Sequence, residues 1–162
     1  MWSREFIVLW FSMFVAMIGI AMVSPLLPVF VRDELGGPEI AVALSFSGLA
    51  VSMMIFSPIV GRFGDRIGSK PFIVAGFLIY AVGASGYIVA TNWEQVVAFR
   101  VLSGIGAASI FPMTLAYVGR LSPPGREGAY VGAFAVSEVL GFGIGPLVGG
   151  VIRDTISSDA VF

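Results

Sequence analysis

The sequence begins with an apolar stretch that is too long for a helix or strand of a small soluble core. Residues 6–31 contain no charged side chain over 26 positions. A bilayer core about 30 Å thick needs about 20 apolar residues of helix. A cleavable signal peptide has an apolar core of only about 7 to 15 residues. The stretch therefore predicts a retained helix that crosses a membrane.

Four more apolar stretches follow, separated by charged residues, Gly and Pro. The predicted helices are 6–31, 40–61, 71–93, 95–119 and 129–152. Their connections are short, so no soluble domain fits between them. The chain is 57% hydrophobic and 12% charged, whereas soluble domains are about 45 to 50% apolar and about 25% charged. The sequence predicts an all-α membrane protein with five transmembrane helices.

Charge and residue usage exclude several classes of function. The net charge is −1, and the chain contains neither Cys nor His. Without an excess of basic residues, the chain has no surface that would bind a nucleic-acid backbone. Disulfides, thiolate nucleophiles and His-based zinc sites are also excluded. We expect a protein that is not an enzyme and has no cofactor, metal or nucleic-acid partner.

The distribution of basic residues predicts a cytoplasmic N-terminus, because Lys and Arg concentrate on the cytoplasmic side of membrane proteins. In that orientation only Arg32 and Arg153 lie outside, and six basic residues lie inside: Arg4, Arg62, Arg66, Lys70, Arg120 and Arg126. With five spans the C-terminus lies outside, and residues 160–162 are expected to begin a sixth helix. The chain is therefore expected to be most of one half of a larger protein.

The segment between the second and third predicted helices has a distinctive pattern of Gly and charge. It consists of Gly61, Asp65, Arg66, Gly68 and Lys70. We expect Gly61 and Gly68 to permit a tight turn. Asp65 is expected to accept backbone hydrogen bonds or to pair with Arg66 or Arg120. An ordinary positive-inside loop is the alternative.

This pattern resembles the signature loop between helices 2 and 3 of the major facilitator superfamily, with Pro71 in place of the second base. The resemblance implies that Asp65 and Arg66 belong to a conformational gate on the cytoplasmic face.

The fifth predicted helix carries a second pattern of small residues. It consists of Gly132, Gly141, Gly145, Pro146, Gly149 and Gly150. The pattern resembles the helix 5 motif of the antiporter branches of the same superfamily. Three of the glycines are four residues apart, so they form a ridge without side chains, where a neighbouring backbone can approach closely. Pro146 favours a kink. Generic glycine packing is the alternative interpretation.

Arg100 lies inside the fourth predicted helix, about five residues or 8 Å from its outer end at about 1.5 Å per residue. An Arg in a span is expected to face the bundle interior or water. Snorkelling to the outer headgroups is the alternative. Residues 100–108 resemble the family's helix 4 motif, with Ser103 where Gln is usual. The resemblance implies that Arg100 takes part in proton transfer.

Glu138 is the only acid inside a predicted span. An acid at that depth can take up and release a proton as its exposure to the two sides changes, which makes Glu138 a candidate proton carrier. A neutral, hydrogen-bonded structural role is the alternative. Its depth differs from that of Arg100 by on the order of 10 Å, so no direct ion pair is expected. Drug antiporters of the family often place an acid in helix 1, and helix 1 here has none.

The first predicted helix also offers a weak candidate for a substrate cavity. Its residues are Met17, Met22, Ser24 and Pro25. Met side chains adapt to varied apolar ligands, but packing or lipid contact is the alternative. Pro25 and Pro28 are expected to break the outer half of this helix.

The resemblance covers the whole chain, as the first five of the family's twelve helices. It implies most of a six-helix N-terminal bundle of a secondary transporter in the plasma (inner) membrane of a prokaryote. The expected function is proton-coupled efflux of small lipophilic or cationic compounds by alternating access, with the proton as the coupling ion. Expected partners are the small-molecule substrate, membrane lipid and the missing C-terminal half. A porter for sugars, metabolites or organic anions is one alternative, and a non-transporting membrane scaffold is another.

Overall fold

The computed structural model describes residues 2–155, with side chains through Ile152. Five helical segments of this part of the chain are long and apolar enough to cross a bilayer. They are Arg4–Glu34, Glu39–Ile67, Ser69–Val89, Trp93–Leu121 and Glu127–Ile152. The expected all-helical architecture with five membrane helices is confirmed. Residues 160–162, which were expected to begin a sixth helix, lie outside the described residues.

Five α-helices form these segments. They are α1 (Arg4–Val23), α2 (Glu39–Ile67), α3 (Ser69–Ser85), α4 (Trp93–Leu121) and α5 (Glu127–Thr155). A 3₁₀ turn, Gly86–Val89, prolongs α3. The helices extend past the charges that served as predicted boundaries, most of all at α2, which continues from Gly61 to Ile67. Charges do not end these helices, because a helix satisfies its own backbone in lipid and in water alike.

The first segment is broken near its end, as its prolines predicted. α1 ends at Val23, a helical turn covers Leu27–Val29, and a π-helix covers Phe30–Glu34. Pro25 and Pro28, three residues apart, remove two backbone N–H donors within one helical turn, which favours a break. In the break, the Leu26 N–H donates to the carbonyl of Val23 over 3.1 Å. The single helix predicted over residues 6–31 is therefore a helix followed by two short helical pieces.

The chain divides into two compact units. The central unit is Leu27–Thr114, and the terminal unit comprises the residues up to Leu26 together with those from Leu115 onward. Their boundary falls beside the proline break in the first segment. Each unit has its own helix contacts.

In the terminal unit, α1 packs along α5. Each helix buries one stripe of side chains at intervals of three or four residues, which is the spacing of a single helix face. The stripe of α1 is Phe6, Leu9, Met13, Met17 and Ala21, and that of α5 is Tyr130, Phe134, Ser137, Gly141, Gly145 and Gly149. A hydrogen bond of 2.8 Å from the indole Nε1 of Trp10 to the carbonyl of Ala133 joins the two helices.

In the central unit, α4 contacts α2 and α3 through glycine positions. A Cβ added to Gly106 would lie 2.8 Å from the carbonyl oxygen of Gly76 on α3. A Cβ added to Gly104 would overlap Ser52 and Leu49 on α2. Membrane helices associate by close packing rather than by exclusion from water, so small residues mark their contacts. These glycines set the spacing of the central unit.

Large apolar side chains cover much of the remaining helix surface. Met54 is 70% exposed, and Val139 and Leu147 are each 71% exposed. An exposed apolar surface of this extent is a liability in water. Helices that lie in the hydrocarbon of a membrane are expected to have such a surface. The fold therefore agrees with the membrane protein that the sequence predicts.

Candidate functional site

The glycine ridge of α5 lies directly against α1. A Cβ added to Gly141 would lie 2.6 Å from the carbonyl oxygen of Phe14, and one on Gly145 would lie 2.8 Å from that of Ile18. A Cβ on Gly149 would lie 2.9 Å from the carbonyl oxygen of Met22. Real Cβ atoms essentially never approach other atoms so closely. The predicted close approach of a neighbouring backbone is therefore observed, and the neighbour is α1.

Both methionines suggested as cavity residues take part in this contact. Met17 is buried, and its Cβ lies 2.6 Å from the position of a Cβ on Gly141. Met22 lies against Gly149. Ser24 follows the last residue of α1, and Pro25 is exposed in the break. The structure gives Met17 and Met22 a packing contact, and a role in substrate binding stays a prediction.

The other residues of the helix 5 pattern lie outside the ridge contact. A Cβ added to Gly132 or Gly150 would meet nothing within 4 Å. Pro146 is exposed and lies within the helix, which continues past it. The pattern thus contains three positions that require Gly for packing and two that the packing leaves open.

The Gly and charge pattern between α2 and α3 forms a different turn from the predicted one. Gly61 lies inside α2 rather than at a loop. The direction of the chain changes at Gly68 alone, where φ is 100° and ψ is 158°, a backbone conformation that is essentially restricted to Gly. α3 begins at the next residue, Ser69. The expectation that both glycines form the turn was wrong for Gly61, because the helix extends across it.

The charged residues of this pattern lie at helix ends. Asp65 and Arg66 are exposed in the last turn of α2, and Lys70 is exposed in the first turn of α3. Within Leu27–Thr114, Asp65 makes no ion pair or hydrogen bond, and its expected pairing with Arg66 is not observed there. Arg120 is exposed in the last turn of α4, in the terminal unit. Their role as a gate stays a prediction.

Arg100 is buried in the central unit and is only 4% exposed. Its guanidinium carbon lies 5.6 Å from the ring centroid of Phe46 and 5.4 Å from that of Tyr87. The Tyr87 hydroxyl in turn lies 3.4 Å from the Ser103 hydroxyl. Cation–π contacts of this kind contribute about 0.5 to 2 kcal/mol. The side chain points into the protein, as expected of an Arg inside a span, and does not snorkel to the surface.

The charge of Arg100 is nevertheless incompletely satisfied. Its Nε and Nη2 atoms are buried and have no hydrogen-bond partner in the part of the chain that the structure describes. Ionisable side chains within membrane helices are costly and rare, and they mark functional sites by default. A buried Arg with unused donors is therefore a strong candidate for a functional residue.

Glu138 lies on α5, half-buried beside the stripe that packs against α1. Its neighbour Ser137 is fully buried and donates a hydrogen bond of 2.6 Å to the carbonyl of Phe134. Glu138 itself has no hydrogen-bond partner among residues 2–155. Whether Glu138 carries a proton or has a structural role stays a prediction. Glu138 belongs to the terminal unit and Arg100 to the central unit.

Sequence reasoning missed several contacts between residues that are far apart in the chain. Phe46 and Tyr87 lie in apolar stretches, and no spacing rule connects them to Arg100. The hydrogen bond from the Tyr117 hydroxyl to Glu5 Oε2, 2.8 Å long, joins residues 112 positions apart. A buried charge does predict aromatic or polar neighbours in general, but their identity depends on tertiary structure.

The comparisons with known proteins agree with this geometry. The family model of the Major Facilitator Superfamily matches residues 9–162. The chain belongs to this superfamily. The members of this superfamily are transporters rather than enzymes. The match confirms the expected major facilitator fold.

The chain is similar in sequence to two proteins that are longer than it is. It is 30% identical over 152 residues to an uncharacterized MFS-type transporter of Methanocaldococcus jannaschii. It is 29% identical over the same length to the quinolone resistance protein NorA of Staphylococcus aureus. Each alignment covers 94% of this chain and 39% of the relative. The chain therefore spans about two fifths of the length of these major facilitator proteins.

Proposed function

We propose that the complete protein exports small lipophilic or cationic compounds from the cytoplasm in exchange for protons, by alternating access. Membership of the major facilitator superfamily supports transport. The name of the relative NorA, a quinolone resistance protein, supports a drug as the exported compound. Because the chain spans 39% of that relative, the activity belongs to a longer protein than the one described.

The observation that carries the proposal is the contact between the glycine ridge and α1. Gly141, Gly145 and Gly149 leave no room for side chains, so α1 and α5 pack backbone to backbone. Two helices held so closely move as one body, and alternating access requires rigid bodies that rock about a central site. The same glycine pattern is the one that resembles the antiporter motif, which favours exchange of substrate for a coupling ion.

The proposal assigns roles to the charged residues of both units. Glu138 carries the proton, and Arg100 influences proton transfer. The turn at Gly68 and its charges Asp65, Arg66 and Lys70 regulate opening on the cytoplasmic side, and Arg120 at the end of α4 contributes to the same regulation. The proton is the coupling ion, and no cofactor takes part. The N-terminus lies in the cytoplasm of a prokaryote, and the protein lies in its plasma membrane.

The test is transport by the full-length protein in proteoliposomes with an imposed pH gradient. A fluorescent lipophilic cation and a quinolone serve as probes. We expect accumulation that depends on the gradient and stops when a protonophore collapses it. Proteoliposomes that contain a Gly141→Leu variant are the control, because Leu cannot fit against α1. Sugar or organic-anion transport without movement of either probe would contradict the proposal.

A further inference from the structure

The guanidinium of Arg100 is a buried cation whose hydrogen-bonding capacity is only partly used. Arg100 is 4% exposed, and its Nε and Nη2 atoms lack partners in the described part of the chain. Buried donors in folded proteins nearly always have an acceptor. Arg100 therefore requires an acceptor that residues 2–155 do not supply.

The aromatic neighbours of Arg100 do not meet this requirement. The ring centroids of Phe46 and Tyr87 lie 5.6 and 5.4 Å from its guanidinium carbon. Ring faces attract positive charge through their quadrupole, but they offer no lone pair of the kind that an N–H donor prefers. The Tyr87 hydroxyl lies beside Ser103. The ring faces thus attract the cation, while two N–H donors on one edge of the guanidinium stay without an acceptor among the described residues.

The missing acceptor is also expected to carry negative charge. No acidic side chain forms an ion pair with Arg100 among the described residues. A guanidinium in a medium of low dielectric binds an anion far more strongly than a neutral acceptor. An exchangeable anion satisfies both the charge and the two donors.

We propose that Arg100 forms a binding site for a small monovalent anion, held by Nε and Nη2 and bounded by Phe46 and Tyr87. Two adjacent N–H groups of a guanidinium match either a halide between them or a carboxylate across them. The shared chemistry is a compact acceptor with one negative charge. The site does not depend on the direction of transport or on proton coupling.

The first experiment measures thermal unfolding of the purified full-length protein in chloride, acetate or gluconate at constant ionic strength. A ligand that binds the folded state raises the unfolding temperature in a saturable manner. We expect such a rise with chloride, with acetate or with both, relative to the bulky gluconate. A rise with chloride alone identifies a halide site, and one with acetate alone identifies a carboxylate site. No rise with either anion overturns the proposal.

Variants locate the effect. Arg100→Gln should abolish the saturable rise, and Arg100→Lys should raise the half-saturating concentration about tenfold, because Lys replaces the paired donors with a single point charge. Arg32→Gln is the matched control, since Arg32 is exposed and paired with Glu39 over 3.3 Å. The control should keep the full rise. An equal rise in Arg100→Gln would show that the anion binds elsewhere and would overturn the proposal.

A direct observation keeps the proposal testable if Arg100→Gln does not fold. Crystals of the unmodified full-length protein grown in bromide should show an anomalous scattering peak at hydrogen-bond distance from Nε and Nη2 of Arg100. A water molecule or a protein carboxylate in that position, with no bromide peak and with no acetate there in crystals grown in acetate, would overturn the proposal.

Discussion

Gly141 faces Met17 across the contact of α5 with α1, and a Cβ on Gly141 would lie 2.6 Å from the Cβ of Met17. The same Cβ would lie 2.6 Å from the carbonyl oxygen of Phe14. Gly141 thus contacts both the Cβ of Met17 and the backbone of α1. Packing of the two helices therefore requires Gly at position 141, because any side chain would overlap α1.

Gly141→Ala should destabilise the protein by about 1 to 3 kcal/mol, because the added methyl group overfills a closely packed contact. The loss arises mainly from backbone atoms of α1, which cannot rotate away as a side chain can. We expect a lower unfolding temperature and a reduced rate of efflux in proteoliposomes. Thermal unfolding of the full-length protein measures the change in unfolding temperature. Transport of the fluorescent probe in proteoliposomes measures the change in efflux rate.

Gly143→Ala is the matched control in the same helix, since a Cβ there would meet nothing within 4 Å. Ala is the better helix former by about 1 kcal/mol, so this control should be neutral or slightly stabilising. Equal losses in both variants would show that helix flexibility, rather than the contact with Met17, explains the requirement for Gly.

Spacing along the sequence predicted the ridge, but it did not identify the helix that packs against it. Gly141, Gly145 and Gly149 recur every four residues, which places them on one helix face whatever the fold. The choice of α1 as the partner depends on tertiary contacts between positions more than 100 residues apart. Likewise, the charge of Arg100 in an apolar stretch predicted its burial, whereas its neighbours Phe46 and Tyr87 came only from the structure.

Helix ends were the least predictable part of the fold. Charges at Arg62, Asp65 and Arg66 suggested a loop, yet α2 continues to Ile67 because polar side chains do not interrupt a helix outside the hydrocarbon. The end is set instead by the backbone of Gly68, with φ at 100°. Sequence reasoning assigned the turn to both Gly61 and Gly68, because the pattern alone does not show where the helix ends.

Gly68→Ala should destabilise the full-length protein by about 1 to 3 kcal/mol, since its backbone conformation is strained for any residue with a Cβ. Gly61→Ala should be neutral or stabilising by up to about 1 kcal/mol, because Gly61 lies in a helix and a Cβ there would meet nothing within 4 Å. Chemical or thermal unfolding of the two variants compares them directly. A larger loss of stability in Gly61→Ala than in Gly68→Ala would contradict this assignment and would indicate a turn at Gly61.

The proposed orientation is testable through the absence of Cys from this chain. Any cysteine outside residues 1–162 is first replaced, and then Arg126→Cys or Asp33→Cys is introduced, both at exposed positions. A membrane-impermeant maleimide added to intact cells should label Asp33→Cys and should label Arg126→Cys only after lysis. Labelling of Arg126→Cys in intact cells would reverse the orientation and move the charges near Gly68 to the outside.

Glu138→Gln should abolish coupling of efflux to the pH gradient while preserving exchange of substrate for substrate. Gln has nearly the same shape as Glu but cannot release a proton, and Glu138 has no hydrogen-bond partner among the described residues that the change would disrupt. Proton flux and probe counterflow, measured in the same proteoliposomes, separate the two activities. Glu127→Gln is the control, because Glu127 lies exposed at the start of the same helix and accepts a hydrogen bond of 3.0 Å from the Gly125 N–H. Proton flux that persists in Glu138→Gln would remove Glu138 from the mechanism and would transfer the search for the proton carrier to residues outside this chain.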